Sequence, residues 1–170
     1  MKIAMNGFTV PKDCTVALYD EASYIGLMFS DIYNTDILSL SATLENAELE
    51  DADGTARKVS KLCGSWLEVD LRVKDGVVTE AALRVQACAL GQASAAILKE
   101  SIIGASLSDL TAARDALYAL LKDGGPPPKG RFEKLALLSG VAAYPARHTS
   151  TCLAFDAAVA AMEAALDMSA

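Results

Sequence analysis

Residues 67–85, LEVDLRVKDGVVTEAALRV, carry the strongest structural pattern in the sequence. Its first seven residues alternate between apolar and charged side chains, which is the period of a strand with one buried and one solvated face. The pair Asp75-Gly76 then gives a strong hairpin signal. A second alternation runs from Val77 to Val85 through every other residue. Residues 67–85 therefore predict an antiparallel hairpin.

The flanking sequence extends this hairpin into an α+β fold. A strand near residues 56–62 would complete a three-stranded antiparallel meander, and apolar residues at helical spacing predict helices over 19–34, 89–103, 106–122, 131–139 and 148–166. Asn34 and Gly104 are predicted to end the first two helices. Ser106 with Asp109 resembles a capping box. The order predicts a three-stranded sheet packed against about five helices on one side.

Composition limits the classes of function. A chain of 170 residues that is 52% hydrophobic and 22% charged is expected to form one domain after a leader at residues 1–18. The net charge of −7 argues against nucleic-acid binding, since phosphates would be repelled. The start of the chain lacks a signal-peptide pattern, and no run of 18 apolar residues occurs. We expect a cytoplasmic protein without a transmembrane helix.

The four cysteines are Cys14, Cys63, Cys88 and Cys152. In a reducing cytosol they are expected to be free thiols or metal ligands rather than disulfides. Cys63 falls in the turn between the first two strands, Cys88 at a strand-to-helix junction, and Cys152 near the start of the last helix. A helix N-terminus favours a thiolate, which binds zinc, holds an iron–sulfur cluster or accepts a persulfide sulfur. By spacing alone, scattered cysteines are more often small core residues.

Three motifs in order change this interpretation. They are Cys63-Gly64-Ser65, Cys88 followed by Ala93-Ser94, and Tyr144-Pro145-Ala146-Arg147 before the last cysteine. With them, the chain resembles an iron–sulfur cluster assembly scaffold of the IscU/NifU type, nearest the SufU branch. The resemblance runs from about Leu18 to Leu166.

The resemblance implies a single IscU/SufU-like domain over residues 19–170. The long segment around 105–140 would be the insertion that distinguishes SufU-like proteins from IscU. Family members collect sulfur from a cysteine desulfurase. IscU types assemble a cluster on three cysteines and an aspartate, and SufU types hold zinc with that set and relay sulfur as a persulfide. The resemblance therefore implies zinc or an iron–sulfur cluster as cofactor, with Cys63 and Cys88 as matching ligands.

Two positions depart from the family pattern. Ser65 stands where the family has aspartate, and a neutral hydroxyl is a far poorer ligand than a carboxylate. An ungapped alignment through Pro145 places Ser150 at the family's third cysteine. Cys152 lies two residues later, which is about 200° of rotation in a helix, so it would face away unless the backbone is irregular.

His148 is the only histidine and lies beside this position. It would either supply a nitrogen ligand or be a partly exposed residue at the helix start. The predicted metal site is therefore Cys63 and Cys88, completed by Cys152 or His148. Cys152 or Cys63 is the candidate sulfur acceptor.

Two functions follow as hypotheses. In the first, the protein is a cluster scaffold or a zinc-dependent sulfur relay whose partner is a cysteine desulfurase. In the second, Ser65 and Ser150 mark the loss of the site, no metal is bound, and the chain is an accessory subunit of a larger protein assembly. A conventional enzyme is not expected, because there is one histidine, no nucleophile elbow and no phosphate-binding glycine loop. Any activity would be sulfur transfer at most.

Overall fold

The computed structural model describes residues 32–168. The predicted leader at 1–18, Cys14 and nearly all of the predicted helix at 19–34 lie outside the described residues. The described elements are, in chain order, α1 (Thr35–Ala42), β1 (Gly54–Val59), β2 (Trp66–Lys74), β3 (Val77–Gln86), α2 (Ala89–Ser101), α3 (Leu107–Asp123), a 3₁₀ segment (Gly130–Ala143) and α4 (Pro145–Met168).

The predicted meander is confirmed. The strands form an antiparallel sheet in the order β1-β2-β3, and β2 and β3 are joined at Asp75 and Gly76. Both residues have positive φ, 52° and 76°, as a two-residue hairpin turn requires. A register shift between Arg72 and Val73 moves the buried position of β3 from the expected Val77 to Val78. Alternation cannot reveal such a bulge, because one extra residue reverses the faces beyond it.

The core lies between the sheet and the helices, as the α+β prediction requires. Apolar residues of β2 and β3 that are almost fully buried form its sheet side, among them Leu67, Val69, Leu71, Val78, Leu83 and Val85. Helix α4 packs against β1, β2, α2 and α3. Phe155 of α4 meets Phe132 of the 3₁₀ segment edge to face, with ring centroids 5.5 Å apart.

Helix α4 is long and apolar enough to cross a membrane by length and composition alone. However, 67% of its most apolar window is buried inside the protein. Burial of this kind characterises the central helix of a packed core, and α4 holds that position here.

Gly54 of β1 packs directly against the backbone of α4. A Cβ atom built on Gly54 would lie 2.1 Å from the carbonyl oxygen of Ala161. We expect Gly54→Ala to lower the free energy of unfolding by about 3 kcal/mol, the upper end of the usual cost of overpacking, because backbone atoms must move to admit the methyl group. Gly124→Ala, where φ is 63° and nothing lies within 4 Å, should cost only about 1 kcal/mol. Urea unfolding followed by circular dichroism compares the two, and equal losses would contradict the close packing.

The polar face of the sheet is more covered than the alternation suggests. A segment between α1 and β1 crosses it, with the N–H of Ala47 donating to Leu83 O (3.0 Å) and that of Leu49 to the Asp70 carboxylate (3.3 Å). Asp70 is consequently 3% exposed, although its position in β2 was predicted to be solvated. It also accepts from Thr55 Oγ1 at 2.9 Å and pairs with Arg84.

The helix ends show which local signals are reliable. Ser106 and Asp109 form the predicted capping box of α3. Asn34 instead begins a helix that was not predicted, since its side chain accepts from the N–H of Ile37 at 2.9 Å and caps α1. The helix predicted at 131–139 is a longer 3₁₀ segment, and α4 starts at Pro145 rather than at residue 148.

Candidate functional site

Three parts of the fold meet at an open cavity of about 280 Å³. They are the turn between β1 and β2, the junction of β3 and α2, and the first turn of α4. The cavity is lined by Cys63, Gly64, Ser65, Gln86, Ala87, Cys88 and Arg147. Two of the three predicted cysteine ligands, Cys63 and Cys88, therefore line the same cavity.

The β1–β2 turn presents Cys63 to solvent. The N–H of Ser60 donates to Ser65 O at 2.7 Å, and the N–H of Gly64 donates to Ser60 O at 2.9 Å. Gly64 has a φ of 70°, a conformation that other residues adopt at a cost. The Cys-Gly motif thus folds a tight turn that holds the Cys63 thiol at the rim of the cavity.

Hydroxyl groups surround the Cys63 sulfur. Its Sγ lies 3.3 Å from Ser60 Oγ and 3.1 Å from Ser65 Oγ. The Ser60 hydroxyl is the main reason that the pKa of Cys63 is lowered, followed by the Ser65 hydroxyl, the Ser65 backbone and the charge of Arg147. The protonated Cys63 thiol donates to either hydroxyl. Once Cys63 loses its proton, the Ser65 hydroxyl in place of the family's aspartate rotates to donate to the thiolate, whereas a carboxylate there would repel it.

The reactivity of Cys63 should follow this lowered pKa. Because only the thiolate is nucleophilic, alkylation of Cys63 should reach half its maximal rate at a lower pH than an ordinary thiol does. Ser60→Ala removes the main donor and should move the midpoint to higher pH, while the exposed Ser108→Ala should leave it in place. Iodoacetamide labelling with peptide mass spectrometry measures this profile. An unchanged midpoint in Ser60→Ala would rule out the assigned cause.

Cys88 is the N-cap residue of α2 and is half-buried at the back of the cavity. Its Sγ lies 3.7 Å from Ser150 Oγ. A Cβ atom at Gly91 would lie 3.0 Å from Ser150 O, so α2 and α4 cross closely at this point. Ser150 therefore occupies the position beside Cys88 that the alignment gives to the family's third cysteine.

Cys152 lies apart from the cavity. Helix α4 is continuous from Pro145, so the expected rotation of about 200° from Ser150 to Cys152 applies. The Cys152 side chain is fully buried, and burial, aided by the charge of Asp156, raises its pKa to about 12. At neutral pH it is a protonated core thiol, which is a poor nucleophile.

His148 also points elsewhere. Its Nε2 lies 3.2 Å from the carbonyl oxygens of both Val141 and Ala142, at the end of the 3₁₀ segment. This contact matches the alternative of a histidine at the helix start, with its ring nitrogen donating to backbone carbonyls.

The donors at the cavity do not fit a resident zinc ion. Protein zinc sites use thiolates, imidazoles or carboxylates in a tetrahedral set. The cavity offers two thiols and the neutral Ser65 hydroxyl, with the buried Ser150 hydroxyl beside Cys88. Over residues 32–168, no three His, Cys, Asp or Glu side chains lie close enough together to hold a metal ion. Of the predicted ligands, Cys63 and Cys88 come together, and Cys152 and His148 do not join them.

Two residues important to the site were not singled out in the sequence. Ser60 precedes Cys63 by three residues, the spacing at which a tight turn brings side chains together. Arg147 belongs to the third motif, but only its place at the cavity wall reveals that its charge acts on Cys63.

Residues 33–151 match the NifU-like N-terminal domain family. This match spans most of the chain, and the chain belongs to that family. It is 27% identical over 122 residues to the iron–sulfur cluster assembly scaffold protein IscU of Thermotoga maritima, covering 71% of this chain and 85% of that protein.

Two solved structures share the fold of this chain. A NifU-like N-terminal protein from Brucella abortus is 45% identical, with a TM-score of 0.80 over 82% of this chain and 98% of its own. A SUF-system scaffold protein from Fervidobacterium islandicum shares the fold with a TM-score of 0.71 over 78% of this chain and 98% of its own, at 18% identity. The predicted IscU/NifU resemblance is confirmed, and the chain is a member of the iron–sulfur cluster assembly scaffold family.

Proposed function

We propose that this protein accepts sulfur from a cysteine desulfurase during iron–sulfur cluster assembly, with Cys63 as the acceptor. One observation carries the proposal: Cys63 is the exposed thiol at the cavity and has a lowered pKa, whereas Cys152 is buried with a raised one. The open cavity gives a partner's persulfide room to reach Cys63.

The transfer is a thiol–persulfide exchange. The Cys63 thiolate attacks the terminal sulfur of the desulfurase persulfide, a new S–S bond forms on Cys63, and the desulfurase cysteine leaves as a thiolate. Ser60 and Ser65 hold the attacking thiolate by hydrogen bonds before the reaction. Arg147, which also lines the cavity, favours the approach of an anionic persulfide.

Iron and the growing cluster are cargo in this proposal. Cys63 and Cys88 supply two thiolates to that cargo, and the Ser65 and Ser150 hydroxyls contribute little because they are neutral at pH 7. We therefore assign weak, transient cluster binding to the chain rather than permanent storage. We assign Cys152 and His148 no ligand role, since neither faces the cavity.

The proposed setting is the cytoplasm, with a cysteine desulfurase as the protein partner. The exposed turn around Cys63 carries Lys61 and Leu62, and Arg57 and Lys58 precede it on β1. A basic edge on a chain of net charge −7 suits an acidic surface near the desulfurase persulfide.

The second candidate is an accessory subunit that keeps the scaffold fold without its chemistry. It is favoured by one observation, the pair of serines at two of the four family ligand positions. In that case Cys63 would receive no sulfur, and association with a larger assembly would not depend on either cavity cysteine.

Transfer of labelled sulfur separates the two candidates. With [³⁵S]cysteine and a cysteine desulfurase, we expect the Cys88→Ser protein to retain label on a non-reducing gel, and the Cys63→Ser/Cys88→Ser protein to retain none. Cys88→Ser/Cys152→Ser is the matched control and should label like Cys88→Ser, because Cys152 is buried. Equal labelling of the Cys63→Ser/Cys88→Ser protein would exclude Cys63 as acceptor.

A further inference from the structure

We infer that Cys88 is a resolving cysteine, which attacks the Cys63 persulfide and releases its sulfur as sulfide while a Cys63–Cys88 disulfide forms. This inference rests on the proposed function, because it needs a persulfide on Cys63. It assigns to the pair a dithiol chemistry that does not depend on a resident metal.

The first support is the placement of the two thiols. Trp66 and Gln86 are directly opposite in the last rung of the β2–β3 ladder. Cys63 precedes one member of this pair by three residues and Cys88 follows the other by two, and both line the same cavity. A sulfur atom added to Cys63 therefore enters the cavity that Cys88 also lines.

The second support is the absence of competing groups at the cavity. Its lining residues include no third thiol, imidazole or carboxylate, so among the described residues nothing there would hold both cysteines as ligands of a zinc ion. The groups beside the two sulfurs, Ser65 and Ser150, are neutral hydroxyls, which are poor metal ligands. A third thiolate or a carboxylate at these positions would instead favour metal binding.

The step balances without an external oxidant. The Cys88 thiolate attacks Sγ of Cys63–S–SH, the bond to the terminal sulfur breaks, and that sulfur leaves as HS⁻. The terminal sulfur is reduced by two electrons, and the two cysteine sulfurs are oxidised to the disulfide. Arg147 at the cavity wall stabilises the departing anion. A dithiol reductant then restores both thiols for the next cycle.

The test uses the full chain, fully reduced and desalted, with cysteine persulfide as the sulfur donor, so that no desulfurase is needed. In wild type we expect about one sulfide per chain together with a Cys63–Cys88 disulfide in the peptide map. In Cys88→Ser we expect the persulfide to persist on Cys63 and sulfide release to be at least ~10-fold slower. Cys152→Ser should behave like wild type, and circular dichroism confirms that each variant is folded.

The outcomes separate the two proposals. A stable Cys63 persulfide in wild type, with no disulfide and no sulfide beyond the Cys88→Ser level, would overturn the resolving role and leave sulfur acceptance intact. A Cys63 that takes up no sulfur in Cys88→Ser would overturn the proposed function itself. Cys88→Ala provides a second folded variant that must match Cys88→Ser if the lost thiol is the cause.

Discussion

Changing Ser65 to Asp and Ser150 to Cys is expected to turn a chain that keeps little zinc into one that retains about one zinc ion per chain. The cavity already holds Cys63 and Cys88, and Ser65 Oγ and Ser150 Oγ lie 3.1 and 3.7 Å from their respective sulfurs. The two substitutions supply the carboxylate and the third thiolate that the family pattern places there. Elemental analysis after dialysis against excess chelator-free buffer measures the retained metal.

The matched control for this gain is Ser65→Asp with Thr149→Cys. Thr149 adjoins Ser150 in α4 and is exposed, so a cysteine there adds a thiol without placing it beside Cys88. This control should retain no more zinc than wild type. Two results would contradict this account: one zinc per chain in wild type, or none in the Ser65→Asp/Ser150→Cys protein. Either would mean that Ser65 and Ser150 are not the reason that the wild-type cavity binds zinc poorly.

The second large effect concerns Asp70 on the polar face of the sheet. Asp70→Ala should lower the free energy of unfolding by about 2–3 kcal/mol, because it leaves part-buried donors without their charged acceptor. The carboxylate accepts from Thr55 Oγ1 at 2.9 Å and from Leu49 N at 3.3 Å, and Arg84 Nη1 lies 2.9 Å away. All three groups would be left with fewer partners, and the segment that crosses the sheet would lose an anchor.

Glu80→Ala provides the comparison on the same face. Glu80 pairs with Arg72 at 2.6 Å, but their side chains are 52% and 38% exposed, so the loss should stay within about 1 kcal/mol. Urea unfolding measures both variants under identical salt. Similar losses for the two would show that Asp70 is no better shielded from water than a surface pair.

The sheet could be predicted because local signals agree with the tertiary structure. The alternation over residues 67–73 and the Asp75-Gly76 turn depend only on residues that are neighbours in the sequence. The structure contains both the strand and the turn that they predict. The bulge near Val73 could not be predicted, because it depends on how β3 meets Ala105 and Ser106 across the chain. Burial of Asp70 was likewise hidden, since its partners lie up to 21 residues away.

The site was partly predictable for the same reason. Helix geometry alone predicted opposite orientations for Ser150 and Cys152, and α4 runs without interruption through both positions. The contact of His148 with the carbonyl oxygens of Val141 and Ala142 could not be predicted. It depends on where the 3₁₀ segment ends, and the sequence predicted only a shorter helix there. The contacts of the Cys63 sulfur with the Ser60 and Ser65 hydroxyls could not be predicted, because they depend on the turn, in which Gly64 has a positive φ.

The most direct test of Cys63 as the sulfur acceptor is a time-resolved peptide map of the protein mixed with a cysteine desulfurase and one equivalent of cysteine. We expect the added sulfur to appear first on the peptide that contains Cys63, and any disulfide to Cys88 to follow it. Cys152 should carry no sulfur at any time, because its thiol is buried and its pKa is raised to about 12. Sulfur that appears first on Cys88 or Cys152, or on none of the three, would contradict the proposed function.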